Sequence, residues 1–493
     1  MSAPDPRSPC IIGVARKTWH SADNPVGAPE PLDMWEETAR AAAGDAGVPD
    51  ALKALQWIDV VYSQTWQYDD PPARLAERLG ATPASTRYSG IGGSVPQHFL
   101  AGTAEVIQSG QVDLALLVGA EALATVRKLK KAGEKPQWSY PPAERRPFPI
   151  DMQFHPSEIS HSVFEAYLTF SLFDNARRAH LGRTLAEHRD ALGQTMARLA
   201  EVAATSPHAW FPVARSASEI ATATPDNRMV AYPYTKLMTS IMDVDMSAAV
   251  LMASAEKADA LGIPQDKRVY LRAWSYAEDP VHVADHRDLW RSPAMARASS
   301  ETLEAAAVSI DDVAHFDLYS CFASSVNFAQ DALGLAENDS RSMTQTGGLP
   351  YHGGPGSNYM THSIAAMAET LRGDPGSLGL VSGVGMHMQK HIYGLWSTKP
   401  GGRLPMRVNT DLAMRTTIAD DPSGSATVAT YSVLHGRDGS PGSALLVCDL
   451  PDGGRCYAKL DGPEAWAEAE EQELIGRTVT LTPTDGINLA RLT

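Results

Sequence analysis

Apolar positions along this chain follow two alternating spacings, and the alternation occurs twice. From Glu37, "ETARAAAGDAG" sets its alanines on one face at helical spacing, and "WIDVVYS" after it is an apolar run of strand length. The same order returns where "ETLEAAAVS", from Glu301, precedes "HFDLYS". Further on, "GTAEVIQSGQVDLALLVGAE" (Gly102 to Glu121) is matched by "SIAAMAETLRGDPGSLGLVSGVG" (Ser363 to Gly385). In both halves 82 positions separate the opening glutamate from a strand glycine, Gly119 or Gly383. Two copies of one α/β unit account for that spacing. Helices alternating with short apolar strands argue for parallel or mixed sheets covered on both faces.

The repeat offset of 264 carries Gly93, in "YSGIGGSVPQHF", onto Ser357, in "YHGGPGSNYM". Both stretches are glycine turns that open a helix. A pseudo-twofold arrangement would bring these helix N-termini together between the halves. Their free N–H groups and partial positive charge suit an oxyanion or a thioester carbonyl.

Val126 to about Val244 breaks the repeat, is rich in helix patterns and reads as an inserted cap. After the Gly/Pro linker "WSTKPGGRLP" (Trp396 to Pro405), five short strand patterns with turns at "GRDGSPG", "PDGG" and "PTDG" surround one acidic helix, "PEAWAEAEEQEL". That series predicts a small antiparallel β-barrel of the OB type. The expected division is a first half over 1–125 completed by 245–270, a cap over 126–244, a second half over 271–400 and a barrel over 406–493.

Composition then removes function classes. The 493 residues are 43% hydrophobic and 20% charged, a packed multi-domain composition. With 42 basic against 58 acidic residues the net charge is −16, which opposes binding to nucleic acid. No run reaches the length of a membrane span, and "MSAPDPRSPCIIGVARK" lacks a signal-peptide pattern, so the expected compartment is the cytoplasm. Cys10, Cys321, Cys448 and Cys456 are widely spaced, so neither a disulfide framework nor a metal site is expected, and any important cysteine would act alone. There is no Walker loop, GxSxG elbow or HExxH.

Several segments jointly resemble the thiolase superfamily, in its SCP2-thiolase-like branch, over about Ile11 to Thr398. "SGQVDLALLVGAEAL" is similar to the strand after that family's nucleophile helix, and "PYTKLMTSIMDVDMSAAVLMASAEKADALGI" to its DGAAA segment. "TLAEHRDALGQTMARLAEVAATSPHAWF" resembles its loop-domain helix and NPxA-like turn. The resemblance implies a thiolase fold, two βαβαβ halves layered α/β/α/β/α, and a CoA thioester as ligand with no other cofactor and no metal. It also implies four functional positions: a nucleophilic cysteine, an asparagine, a histidine and a second cysteine. These fall on Gly93, Tyr319, Gly354 and Val381 or Ser382, so all four have changed. Losing one member of a cooperating nucleophile set costs on the order of 10⁶ in turnover, which decides against ordinary acyl transfer. Glycines at the helix mouths and in "SGVG" (Gly93, Gly353, Gly354, Gly383, Gly385), with Ser94, still allow backbone N–H groups to approach a thioester oxygen.

The remaining candidates each have two readings. Ser94 is a replacement nucleophile without a base, or a helix N-cap. Cys321 is a displaced nucleophile or a packed thiol, and His352 swings into the pocket or bonds its own turn. Tyr319 is the acid/base of an aldolase-type lyase acting on a β-hydroxyacyl-CoA, as in related thiolase-fold proteins that work with a separate OB partner, or a packed aromatic. Lys128 and Lys130, in "RKLKKAGEK", hold CoA phosphates or lie on a solvated helix face. His387 and His391 would share a face if their stretch were helical, and lack a third metal ligand. The barrel could dock a protein partner. Thiolases pair through their core, which an appended barrel could block, so homodimer and monomer both stay open.

Overall fold

The structure, a computed structural model, describes residues 5–20, 25–149, 154–402, 404, 408–409 and 415–493. Part of the expected linker and the expected barrel start at 406 lie outside the described residues. The first half runs β1 (Pro9–Thr18), α1 (Pro31–Asp45), β2 (Trp57–Val60), α2 (Pro71–Leu79), β3 (Ser85–Tyr88), α3 (Val95–Gln108), β4 (Leu114–Ala122) and α4 (Leu123–Lys131). Local chemistry sets these limits. Prolines open α1, α2 and α3 within their first two positions, where a missing N–H costs nothing, and Gly80 closes α2 at φ 68°.

The cap segment holds α5 (Pro156–His161), α6 (Ala166–His180), α7 (Leu185–Thr205), α8 (Ala217–Ala221), β5 (Met229–Ala231) and β6 (Tyr234–Thr235). The chain then returns to the first half with β7 (Asp245–Ser254) and α9 (Ala255–Ala260). The second half follows as β8 (Val269–Glu278), α10 (Pro293–Ala306), β9 (Val313–Asp317), α11 (Ala323–Leu333), α12 (Tyr359–Gly373), β10 (Leu378–Gly385) and β11 (Lys390–Ser397), and β12 (Val408–Asn409) lies beside β8.

These strands form one mixed sheet in the order β3-β2-β4-β7-β1-β8-β11-β10-β9. The order is palindromic about β1 and β8: β7, β4 and β2 flank one as β11, β10 and β9 flank the other. Only β3 has no counterpart. At the centre the halves meet over two residue pairs, Cys10 with Tyr270 and Ile11 with Val269. The sequence repeat is therefore a structural one, with α3 and α12 starting 264 positions apart, as do β4 and β10. All nine residues of β4 are buried, which is why its sequence runs apolar without alternation.

The C-terminal strands are β13 (Gly424–His435), β14 (Pro441–Asp449), β15 (Arg455–Leu460), β16 (Thr478–Thr484) and β17 (Ile487–Leu492), with α13 (Pro463–Glu471) between β15 and β16. They close in the cycle β13-β14-β15-β17-β16. Four of the five pairings are antiparallel, as expected, and one, β15 with β17, is parallel. The reason is the crossover through α13, which lets β17 return beside β15 in the same direction. All four cysteines are free thiols, although Cys448 and Cys456 lie directly opposite each other on β14 and β15, both fully buried. The hairpin between them makes neighbours of two residues whose spacing in sequence carries no motif.

The barrel is tied to the rest by a buried polar seam. The Glu158 carboxylate accepts from Tyr457 Oη at 2.6 Å and His282 Nδ1 at 3.0 Å, and the same phenol accepts from Ala284 N at 2.9 Å. His161 Nε2 accepts from Asn488 N at 2.9 Å. Strand β5 of the cap pairs with β13, so cap and barrel share one sheet.

Candidate functional site

The two glycine turns meet. Gly92 N donates to Ser357 Oγ at 3.0 Å, and Asn358 Nδ2 donates to the Gly119 carbonyl at 2.7 Å. A β-carbon on Gly119 would run into the Asn358 side chain, and one on Gly383 would meet Met360 and lie 3.1 Å from Ser94 Cα. Ser94 and Asn358 are related by the repeat offset, as are Gly119 and Gly383, so each strand glycine admits the mouth of a helix. Behind the α12 mouth lies the buried Glu121 carboxylate, which accepts from Gln64 N at 2.8 Å and Thr65 N at 3.0 Å. Burial raises its pKa to about 7.

Tyr319, which follows β9, reaches into the α3 mouth. Its N–H donates to Ser382 Oγ at 2.9 Å, and its ring stands edge-on to Tyr359 with centroids 5.5 Å apart. A β-carbon on Gly93 would lie closer than 3.0 Å to both the Tyr319 hydroxyl and the Val384 carbonyl. The phenol thus fills the space a side chain at position 93 would need. Burial, with the nearby Cys321, holds its pKa far above the ordinary tyrosine range, which opposes a role as base near neutral pH.

Tyr319, Cys321 and Gly354 line one cleft of about 720 Å³. Of the expected binding glycines only Gly354 lines it. Gly93 is stopped by Tyr319, Gly353 packs on Met246 and Val244, and Gly383 and Gly385 pack on Met360 and Ser94. Ser94 sits at the N-cap position of α3 but makes no capping bond, which corrects that expectation. Its φ of −84° and ψ of −11° are already helical, whereas capping side chains are aimed from extended backbone.

Cys321 keeps its proton: burial pushes the thiol up to about 12, and Sγ lies 3.5 Å from Ser325 Oγ. His352 is fully buried with Nε2 3.3 Å from His362 Nδ1, and burial holds both rings well below the usual imidazole range. It does not line the cleft. Lys128 and Lys130 do not line it either; their neighbour Arg127 does, ion-paired with Asp243. His387 and His391 are not on a helix: His391 lies in β11 with Nε2 3.0 Å from the Met388 carbonyl, and His387 faces the Phe154 ring. Among the described residues no three His, Cys, Asp or Glu side chains are grouped to hold a metal. No helix among them is long and apolar enough to cross a membrane.

The mouth of the cleft carries three cations that the sequence reading passed over, Arg228, Lys236 and Arg437. They are isolated in sequence and belong to no motif, so only their convergence in space gives them meaning.

No protein-family model matches the chain, and no curated protein matches it in sequence. Solved structures do. The crystal structure of a monomeric SCP2-thiolase like protein type 1 from Mycobacterium smegmatis is 32% identical, matches over 100% of both chains and superposes with a TM-score of 0.85. An Ltp2-ChsH2(DUF35) aldolase is 14% identical over 80% of this chain and 99% of that chain, with a TM-score of 0.60. An acetyl-CoA acetyltransferase from Syntrophomonas wolfei is 16% identical over 80% of this chain and 99% of that chain, with a TM-score of 0.55. The last two share the fold.

Proposed function

Since the chain belongs to the type 1 SCP2-thiolase-like family, we propose that it binds a CoA thioester of lipid or sterol metabolism in the cleft over Tyr319 and does not perform ordinary acyl transfer. The observation that carries this reading is the Tyr319 phenol in the space of a side chain at Gly93. A missing thiol alone could be replaced by a neighbour, whereas an occupied site leaves no room for the attacking atom. Cys321, the one thiol on the cleft, is held protonated, and no imidazole lines the cleft to activate it. The cleft's volume and its mixed lining suit a ligand with a polar head and an apolar arm. The family relative is monomeric, which supports the same state for this chain.

The test is to incubate the purified chain with acetoacetyl-CoA and CoA while titrating a series of acyl-CoAs calorimetrically. We expect saturable binding without thiolase turnover. Turnover at thiolase rates, or a covalent acyl adduct on the intact mass, overturns the reading.

One observation favours a second reading, a carbon–carbon lyase acting on a β-hydroxyacyl-CoA: Tyr319 lines the cleft in a fold shared with an aldolase. Its raised pKa opposes a role as base. Any lyase activity that survives Tyr319→Phe dismisses this alternative.

A further inference from the structure

We infer that the C-terminal barrel completes the ligand site, its hairpin residue Arg437 joining Arg127, Arg228 and Lys236 to grip the phosphates of a nucleotide-bearing thioester at the cleft mouth. This rests on the reading of the cleft as a CoA-thioester site.

The four cations come from four places: α4, the approach to β5, the turn after β6, and the hairpin between β13 and β14. Two carboxylates, Glu165 and Asp226, share the lining, so the mouth keeps an excess of positive charge on a chain whose net charge is −16. Arg127 is paired with Asp243, and Arg228 Nη1 donates to the Met229 carbonyl at 2.8 Å. Lys236 and Arg437 have no ion-pair partner among the described residues. The floor, by contrast, is made of Tyr319, Cys321 and Leu349, none of them charged at neutral pH. A cleft that is cationic outside and neutral inside matches a ligand with several phosphates at one end and an uncharged arm at the other.

The hairpin is held over the mouth by the shared sheet. Leu434 of β13 pairs with Ala231 of β5, the strand that lies between Arg228 and Lys236. Asn175 Nδ2, from α6, donates to the Tyr232 carbonyl at 3.1 Å and to the Tyr431 carbonyl at 2.9 Å, bridging cap and barrel. At the tip, Gly436 N donates to the Ser440 carbonyl at 2.9 Å, and His435 Nδ1 donates to the Gly439 carbonyl at 2.8 Å. A fixed strand register and a closed turn set the Arg437 backbone in place beforehand, so only its side chain has to be ordered at binding.

The test titrates the full chain with dodecanoyl-CoA and with dodecanoyl-pantetheine, which keeps the arm and lacks the nucleotide. Arg437 is exposed, so Arg437→Ala leaves the fold intact; Arg491→Ala, an exposed barrel arginine away from the cleft, is the control. We expect Arg437→Ala to weaken dodecanoyl-CoA binding about threefold to tenfold at low salt, less at high salt, and to leave the pantetheine thioester unchanged. Arg437→Lys should restore part of the loss, and Arg491→Ala should bind as the parent. If dodecanoyl-CoA binds the parent and Arg437→Ala equally, the barrel is not part of the site, although the reading of the cleft stands. If the parent binds neither thioester, that reading fails and this inference with it.

Discussion

At the mouth of α3, Gly93 faces the Tyr319 phenol; at the mouth of α12, Gly354 faces the open cleft. Both are glycines beside a helix mouth, and they differ in what a side chain there would meet. A deleted side chain leaves usable space only where no neighbour grows into it. Around Gly93 the obstacles are a buried ring and a backbone carbonyl, neither of which can step aside cheaply. Around Gly354 the nearest obstacle is the Ser240 hydroxyl, a single rotatable atom, with the Ile241 carbonyl and a Leu349 methyl 3.3 Å away. Two copies of one structural unit have ended with one blocked mouth and one open one.

The largest way to break this contrast is to remove the ring. Tyr319→Ala should destabilise the chain by about 3 kcal/mol in urea unfolding, as expected for an aromatic side chain taken from a packed site. Tyr319→Phe, losing only a hydroxyl at the cleft, should stay within about 1 kcal/mol of the parent. An equal loss in both variants would mean that the hydroxyl, not the ring, holds the mouth.

Next in size, Gly93→Cys should cost about 1 to 3 kcal/mol through overpacking, and Gly354→Ala less than about 1. The cost at Gly93 should shrink by about 1 kcal/mol or more when Tyr319→Ala is present, because the ring is what the new side chain meets. Additive effects in that double-mutant cycle would dissolve the contrast.

The two helices also differ in their histidines. His98 of α3 and His362 of α12 are related by the repeat offset, yet His98 is exposed against Trp274 and Tyr276 while His362 is fully buried beside His352. Burial keeps His362 and His352 neutral in the fold, with pKa values well below the ordinary 6.5. Their contribution is whole above pH 6.5 and is lost as pH falls below it, because the unfolded chain takes up protons that the folded chain refuses. We expect stability to drop by up to about 1.4 kcal/mol per pH unit for each buried ring below 6.5. Urea midpoints at pH 7.5, 6.5 and 5.5 should show a flatter acid slope in His362→Gln than in His98→Gln.

The smallest expected effects concern Lys128 and Lys130, which lie off the cleft. Changing either to alanine should alter acyl-CoA affinity by less than about twofold, a surface-charge effect. A loss as large as that expected for Arg437→Ala would place the ligand over Lys128 and Lys130 instead of the cleft.

Much of this was legible beforehand. The offset of 264 located both helix mouths, and their contact is a direct Gly92–Ser357 hydrogen bond. The resemblance carried by the "SGQVD" and "YSCF" stretches directed attention to Gly93, Tyr319 and Gly354, and the fold sets Tyr319 against Gly93 and puts Tyr319 and Gly354 on one cleft. The cleft rim was illegible: Arg228, Lys236 and Arg437 are single cations in unremarkable stretches, gathered only when β5 pairs with β13. The cluster at Arg127–Lys131 misled for the complementary reason, since neighbours on a helix point in different directions and only Arg127 of its basic residues lines the cleft. Ser94 failed as a cap because residue type reports a preference and backbone dihedrals decide it.

By itself the sequence determined the period of the chain: which segments are helix or strand, that the unit occurs twice, and that a glycine turn opens a helix in each copy. Those are properties of local spacing and identity, written residue by residue. Only the tertiary structure decided which of the two turns keeps open space beside its glycine. Tyr319 comes from a loop more than two hundred positions from Gly93, and a steric contact between them exists only after the two halves close on each other.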